Sequence, residues 1–172
     1  MIEFLNTTTD SPWNAKIQMA NAQPGKYSIK QDTFARAIIK YVLTANNPLT
    51  ALKDFDKEKK VFLNYWKAIA NLLDDGDSET LYKYNGVELF CRFSIPFFMR
   101  LMDKGTFKVE DIKATLEQCF EDMDGEYAGV GHPEFWKTGG KAGMLNAAAI
   151  GVIVQEMAAG LHKSGMATEI EI

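Results

Sequence analysis

Hydrophobic positions recur along this chain at helical rather than strand spacing, and one stretch, Asp56 to Leu73, carries the pattern furthest. On a period of about 3.6 residues, Val61, Phe62, Leu63, Tyr65, Trp66, Ala68, Ile69, Ala70, Leu72 and Leu73 cover nearly the whole circumference. Only Lys60, Asn64, Lys67 and Asn71 form a polar stripe. A helix apolar on most sides needs neighbours on most sides, so this segment is expected to be the hub of a helical domain. Asp56 is its expected cap, with Glu58 complementing the dipole in the first turn, and Asp74-Asp75-Gly76-Asp77 stops it.

The flanking segments are read the same way. Residues 1–25 form an irregular stretch in which Thr9-Asp10-Ser11-Pro12 signals a short helix from Pro12 to Ala20, ended by Gln23-Pro24-Gly25. Ser28 and Gln31 have capping-box spacing and predict a helix to Thr44, with Phe34, Ile38, Tyr41 and Val42 inward. Asn46-Asn47-Pro48 ends it, because a residue before proline resists helical geometry. Ser78 and Glu79 open a short helix to Tyr84, which Asn85-Gly86 punctuates. Val87 to Met102 is strongly apolar, yet Pro96 lacks the amide that the Arg92 carbonyl needs, which predicts a kink or a break into two helices.

Lys108 to Phe120 reads as a surface helix, with Val109, Ile112, Leu116, Cys119 and Phe120 inward. The period then disappears across 121–143, a long glycine-rich loop. It returns from Met144 to Leu161 in a helix apolar almost all round, expected to pack closely on the hub, before a polar tail over 165–172. The sum is an all-α single globular domain over 1–172, six or seven helices around a central hydrophobic helix.

Composition adds limits rather than a function. With 172 residues, 47% hydrophobic and 24% charged, the chain can build its own core without covalent staples. A net charge of -4 gives no global basic field, so nucleic-acid contact would need a local patch. Cys91 and Cys119 sit among apolar residues and read as free, buried thiols, consistent with a reducing cytoplasm. No signal-peptide pattern opens the chain. The apolar run from Met144 to Val154 is shorter than the roughly 20 residues that span a bilayer, so no membrane association is expected.

Candidate chemistry is sparse. The aspartates of 74–77 lack the alternate-position ligands and closing glutamate of a calcium loop and read as an acidic turn. Lys137-Thr138-Gly139-Gly140-Lys141-Ala142-Gly143 leads towards the last helix and suits an anion, though glycines that only turn the chain explain the same letters. It is not a phosphate-binding loop of the Walker type, whose residue order differs. His132 and His162 are too few for a histidine metal cluster. Arg92 either extends to solvent, pairs with a buried carboxylate or binds an anion. With the stripe lysines, the candidate anion or DNA contacts are Arg92, Lys137, Lys141, Lys60 and Lys67. No catalytic constellation, metal site or cofactor motif stands out, so no cofactor is expected and a non-enzymatic role is favoured.

One resemblance connects these segments. Asn6, Asp10-Ser11-Pro12-Trp13 and Lys16-Ile17 are followed by Val61-Phe62-Leu63-Asn64-Tyr65-Trp66-Lys67-Ala68-Ile69. Leu81-Tyr82-Lys83, Asn85-Gly86-Val87 and Phe135-Trp136 complete the order, which resembles the C-terminal helical part of DGQHR-domain proteins over about Asn6 to Leu161. That family includes DndB-like regulators tied to DNA phosphorothioate modification and phage defence. The resemblance implies a bacterial or phage accessory module, with DNA or a DNA-modification protein as partner. The family's Asp-Gly-Gln-His-Arg segment does not occur in this chain, so none of its residues carries over. The alternative is a protein-protein interaction or homo-oligomerisation domain with no nucleic-acid role, working through the apolar excess of its helices.

Overall fold

The computed structural model describes residues 1–163; the tail expected over 165–172 lies outside them. The first helix is α1 (Ile2–Thr7), and no helix forms between Pro12 and Ala20. Ser11 instead turns the chain by accepting the Trp13 amide at 3.1 Å. Ala15 adopts a left-handed φ of 56°. Asn6 then accepts the Ile17 amide at 2.9 Å. A proline start signal is overruled here because folding back onto α1 drives Trp13 fully into the core.

Two-residue strands β1 (Ile17–Gln18) and β2 (Ile29–Lys30) pair in parallel, Ile17 opposite Ile29. The expected capping box does not form. Gln31 spends its side-chain oxygen on the Ala20 amide, at 2.8 Å, so α2 (Gln31–Ala37) starts without a side-chain cap. It runs into a π-helical turn over Ile38–Val42. A 3-10 turn follows at Pro48–Leu52, capped by Asn47.

Helix α3 (Phe55–Leu73) is the predicted hub, but its cap is Asp54 rather than Asp56. Asp54 accepts the amides of Asp56 and Lys57 at 3.1 and 3.2 Å, which leaves Asp56 in the first turn. The hub works through its aromatic rings. Trp66 meets Trp13 at 4.9 Å edge-on, Phe34 at 6.3 Å and Phe90 at 5.8 Å between centroids. Tyr65 meets Phe97 and Phe98 at 5.3 and 5.2 Å.

A 3-10 turn at Glu79–Tyr82 leads into α4 (Tyr84–Lys104), one uninterrupted helix through Pro96. Of the kink or break expected at Pro96, the break into two helices does not occur. A helix-interior proline costs about 3 kcal/mol, whereas burying an aromatic side chain returns roughly 1.5–3 kcal/mol, and Phe90, Phe93, Phe97 and Phe98 are all fully buried. Asn85-Gly86 opens this helix instead of separating two. A Cβ on Gly86 would lie 2.0 Å from the Leu81 carbonyl oxygen, so only glycine allows the preceding turn to close on it.

Helix α5 (Val109–Glu121) follows its predicted span within a residue at each end. The 121–143 stretch is not featureless. It holds a 3-10 turn (Ala128–Gly131), the single-turn α6 (Pro133–Trp136) and the start of another 3-10 turn (Lys141–Met144). Met123, Val130, Phe135, Trp136 and Ala142 are its buried anchors, too widely spaced to give a period. Helix α7 (Ala147–Lys163) packs on α4 and α5 rather than closely on the hub. Seven α-helices and one minute sheet thus make a mostly-α single domain among the described residues. Within those residues, no helix is long and apolar enough to cross a membrane.

Candidate functional site

The five cations singled out in the sequence meet different fates. Lys67 is ion-paired to Asp10, and that hydrogen bond holds the Asp10 carboxyl below its ordinary pKa. Lys137 bridges Glu134 at 2.8 Å and Asp75 at 3.4 Å, and the Glu134 bond chiefly raises its pKa. Within the stripe, Asn64 donates to the Phe107 carbonyl at 3.0 Å and Asn71 to the Lys67 carbonyl at 2.9 Å. With Lys67, three of the four residues of that face are therefore spent on internal bonds. Lys60, Lys141 and Arg92 have no hydrogen bond or ion pair among the described residues.

The glycine run does not feed directly into the last helix. Gly139 takes a left-handed φ of 79°, and α7 begins only at Ala147, after a 3-10 turn. One of its free amides is met by Asn146, whose side-chain oxygen accepts the Ala149 amide at 2.9 Å. Hydrophobic periodicity does not mark Asn146, although an asparagine ahead of an alanine-rich helix is a capping signal.

Arg92 lies in a setting that the sequence did not anticipate. On α4, Tyr84, Glu88, Arg92, Ile95 and Met99 recur at helical spacing and share one face. Tyr84 and Met99 are 54% and 53% exposed. Beside this face runs α7, and a Cβ placed on Gly151 would be 3.5 Å from an Arg92 guanidinium nitrogen. Between Ala148 and Ala159, the exposed positions of α7 are Ala148, Val152, Gln155 and Ala159, and none is charged, while the exposed Lys163 at its end is paired to Asp124. Glu88 accepts the Tyr41 hydroxyl at 2.8 Å. Met144, 79% exposed, borders the same end, because Asn85 donates to the Ala142 and Leu145 carbonyls at 2.7 and 3.2 Å. The readable signal was the all-round apolarity of the last helix: packed on two neighbours, it leaves a third side uncovered.

A second candidate is a polar cleft at the C-terminal end of α3. Two adjoining hollows of about 540 and 630 Å³ share Lys16, Asp74 and Tyr82. The three groups that they share are already engaged with the protein itself. Tyr82 donates to Asp74 at 2.6 Å, and Lys16 donates to the Pro12 carbonyl at 2.8 Å while lying 4.5 Å above the Tyr82 ring. Burial, then the Asp74 contact, pushes the Tyr82 hydroxyl far above its ordinary pKa, so it stays a proton donor.

Nucleophilic chemistry finds little here. Cys91 and Cys119 are free and buried, and burial raises both thiols, Cys119 to about 12. Among the described residues, no group of three His, Cys, Asp or Glu side chains is placed to hold a metal ion.

No family model, curated protein or solved structure matches the chain. The site geometry is therefore the main support for a functional reading.

Proposed function

We propose that this protein is a non-enzymatic protein-interaction module whose working face is formed by α4 and α7. The observation that carries the reading is Arg92. It stands without a carboxylate partner among the described residues, between an exposed Tyr84 and the uncharged outer face of α7 at Val152. Wet helix faces normally carry charge, and Tyr, Met and Arg are the residue types enriched at protein interfaces. Glu88, one turn before Arg92 on the same face, makes the surface charge-complementary to itself, so a second copy is the first partner expected. In a two-fold pairing, Arg92 of each copy faces Glu88 of the other.

Sedimentation equilibrium tests this directly. The wild type is expected to self-associate at about 100 μM, and Arg92→Glu to weaken association by at least ~10-fold with an unchanged melting curve. A wild type that stays monomeric at that concentration removes the self-association reading.

A second reading is a DNA-associated accessory module. The resemblance to DGQHR-domain proteins suggests it, and the unpaired Arg92, Lys141 and Lys60 favour it. Binding to duplex DNA is then expected to fall steeply with salt, each lost phosphate contact lowering the slope by about 1. Absence of any mobility shift at low salt would remove this reading.

A further inference from the structure

The glycine-rich stretch builds a hollow of its own, although its Lys141 and Met144 also border the surfaces described above. Trp136 anchors it from beneath, donating to the Val130 carbonyl at 2.9 Å and packing on Phe90 at 5.5 Å. The Lys137 bridge to Asp75 and the Asn85 bonds to Ala142 and Leu145 fasten its two ends. Gly140 is held so tightly that a Cβ there would lie 2.8 Å from the carbonyl oxygens of Glu134 and Phe135. Above this frame opens a cavity of about 540 Å³. Pockets for small organic ligands run from about 300 to 1,000 Å³.

The lining has a definite chemistry. Phe135 and Met144 supply apolar surface, and Gly129, Gly139 and Gly140 leave the walls open. Three polar side chains complete it: His132, Glu134 and Lys141. Glu134 is engaged by Lys137 at 2.8 Å. Lys141 and His132 have no side-chain partner among the described residues. The unpaired polar groups are thus one ammonium and one imidazole, over an apolar floor.

We propose that this hollow binds a small amphipathic carboxylate, such as a medium-chain aliphatic acid. Its hydrocarbon body lies on Phe135 and Met144, and its carboxylate accepts from the Lys141 ammonium and the His132 ring. An aliphatic amine would place a cation against Lys141, and an alcohol would forgo the charge-assisted bond. The site rests on residues 129–144, of which only Met144 borders the α4–α7 face, so small-molecule binding and self-association can fail separately.

Calorimetry and amide NMR on the full chain, below micelle concentration, test it with octanoate, decanoate, decanol and decylammonium. Decanoate is expected to bind saturably, shifting the amides of Gly129, His132, Gly139 and Gly140. Each added methylene should tighten binding by about two- to fourfold. Lys141→Met is expected to weaken decanoate at least ~5-fold while leaving decanol unchanged, a difference that general damage to the fold would not produce. Gly129→Leu should abolish both, because a Cβ there meets Phe135 at an ordinary 3.8 Å and the longer side chain fills the cavity. The proposal is overturned if no carboxylate binds saturably, if decylammonium binds as tightly as decanoate, or if folded Gly129→Leu binds as the wild type does. Should Gly129→Leu fail to fold, the decanoate-to-decanol ratio of Lys141→Met decides: an unchanged ratio overturns it.

Discussion

The hydroxyl of Tyr65, midway along the hub, donates a 2.9 Å hydrogen bond to the main-chain carbonyl of Phe90 on α4. Both residues are fully buried. Burial pushes the Tyr65 hydroxyl well above its ordinary pKa, so it remains a donor throughout the range in which the protein is handled. The bond joins the hub to α4 at a point where no solvent replaces it.

Tyr65→Phe keeps the ring and removes only that bond. The expected loss is about 0.5–1.5 kcal/mol, read as a lower urea midpoint with an unchanged m-value. No change in midpoint would mean that the carbonyl is equally well satisfied without the phenol.

Two glycines of α7 should respond oppositely to alanine. A Cβ at Gly160 would lie 2.6 Å from the Cys119 carbonyl oxygen, a backbone atom that cannot step aside, so Gly160→Ala forces α5 and α7 apart. A cost of about 1–3 kcal/mol is expected, against a helix-propensity gain of roughly 1 kcal/mol. At Gly151 the nearest atom is the mobile end of Arg92 at 3.5 Å, so Gly151→Ala should be neutral or stabilising. Thermal melts of the pair check the contrast, which disappears if α7 packs elsewhere.

The thiols should be silent in the folded protein. Cys119 donates to the Met157 carbonyl at 3.1 Å, and burial lifts both cysteines above the pH at which thiolates form readily. Labelling with a disulfide reagent near pH 8 is expected to be negligible until denaturant exposes both groups. Rapid labelling of one thiol in the native state would reveal local opening at α4 or α5.

Acid should destabilise the fold through its exposed aspartates. Asp54 is lowered chiefly by the Lys57 amide, Asp10 by Lys67, Asp75 by the Asp77 amide and Asp124 by Lys163. A carboxyl depressed in the folded state stabilises it fully above the unfolded pKa. That stabilisation is lost as pH falls from about 4 through the lower folded values. Melting temperature should therefore hold from neutrality to about pH 5 and drop below about pH 4. Asp54→Asn, which keeps the capping oxygen without the titration, should show a shallower drop; an identical profile would count against this assignment.

Much of the fold was legible because helical periodicity is a local property. The hub, α5 and the last helix announced themselves in the spacing of Val61 to Leu73, Val109 to Phe120 and Met144 to Leu161, although the last begins only at Ala147. Misread elements were those where local rules met a distant partner. The Ser11-Pro12 signal yielded to the burial of Trp13, Gln31 left its capping role for the Ala20 amide, and Pro96 was carried by the phenylalanines around it. The candidate site shows the same division. The letters Arg92, Lys67, Lys137 and Lys141 stood in the sequence, but their pairing did not.

By itself, then, the sequence determined that the chain folds as packed helices around a central apolar one, since amphipathic spacing and side-chain volume lie within single segments. Only the tertiary structure decided which charges are free. Lys67 finds Asp10 from 57 positions away, and Lys137 finds Asp75 from the far side of α4 and α5 in the chain, whereas Arg92, half-buried beside Gly151, has no ion-pair partner among the described residues. Ion pairing depends on separation in space, which no local pattern of residues encodes.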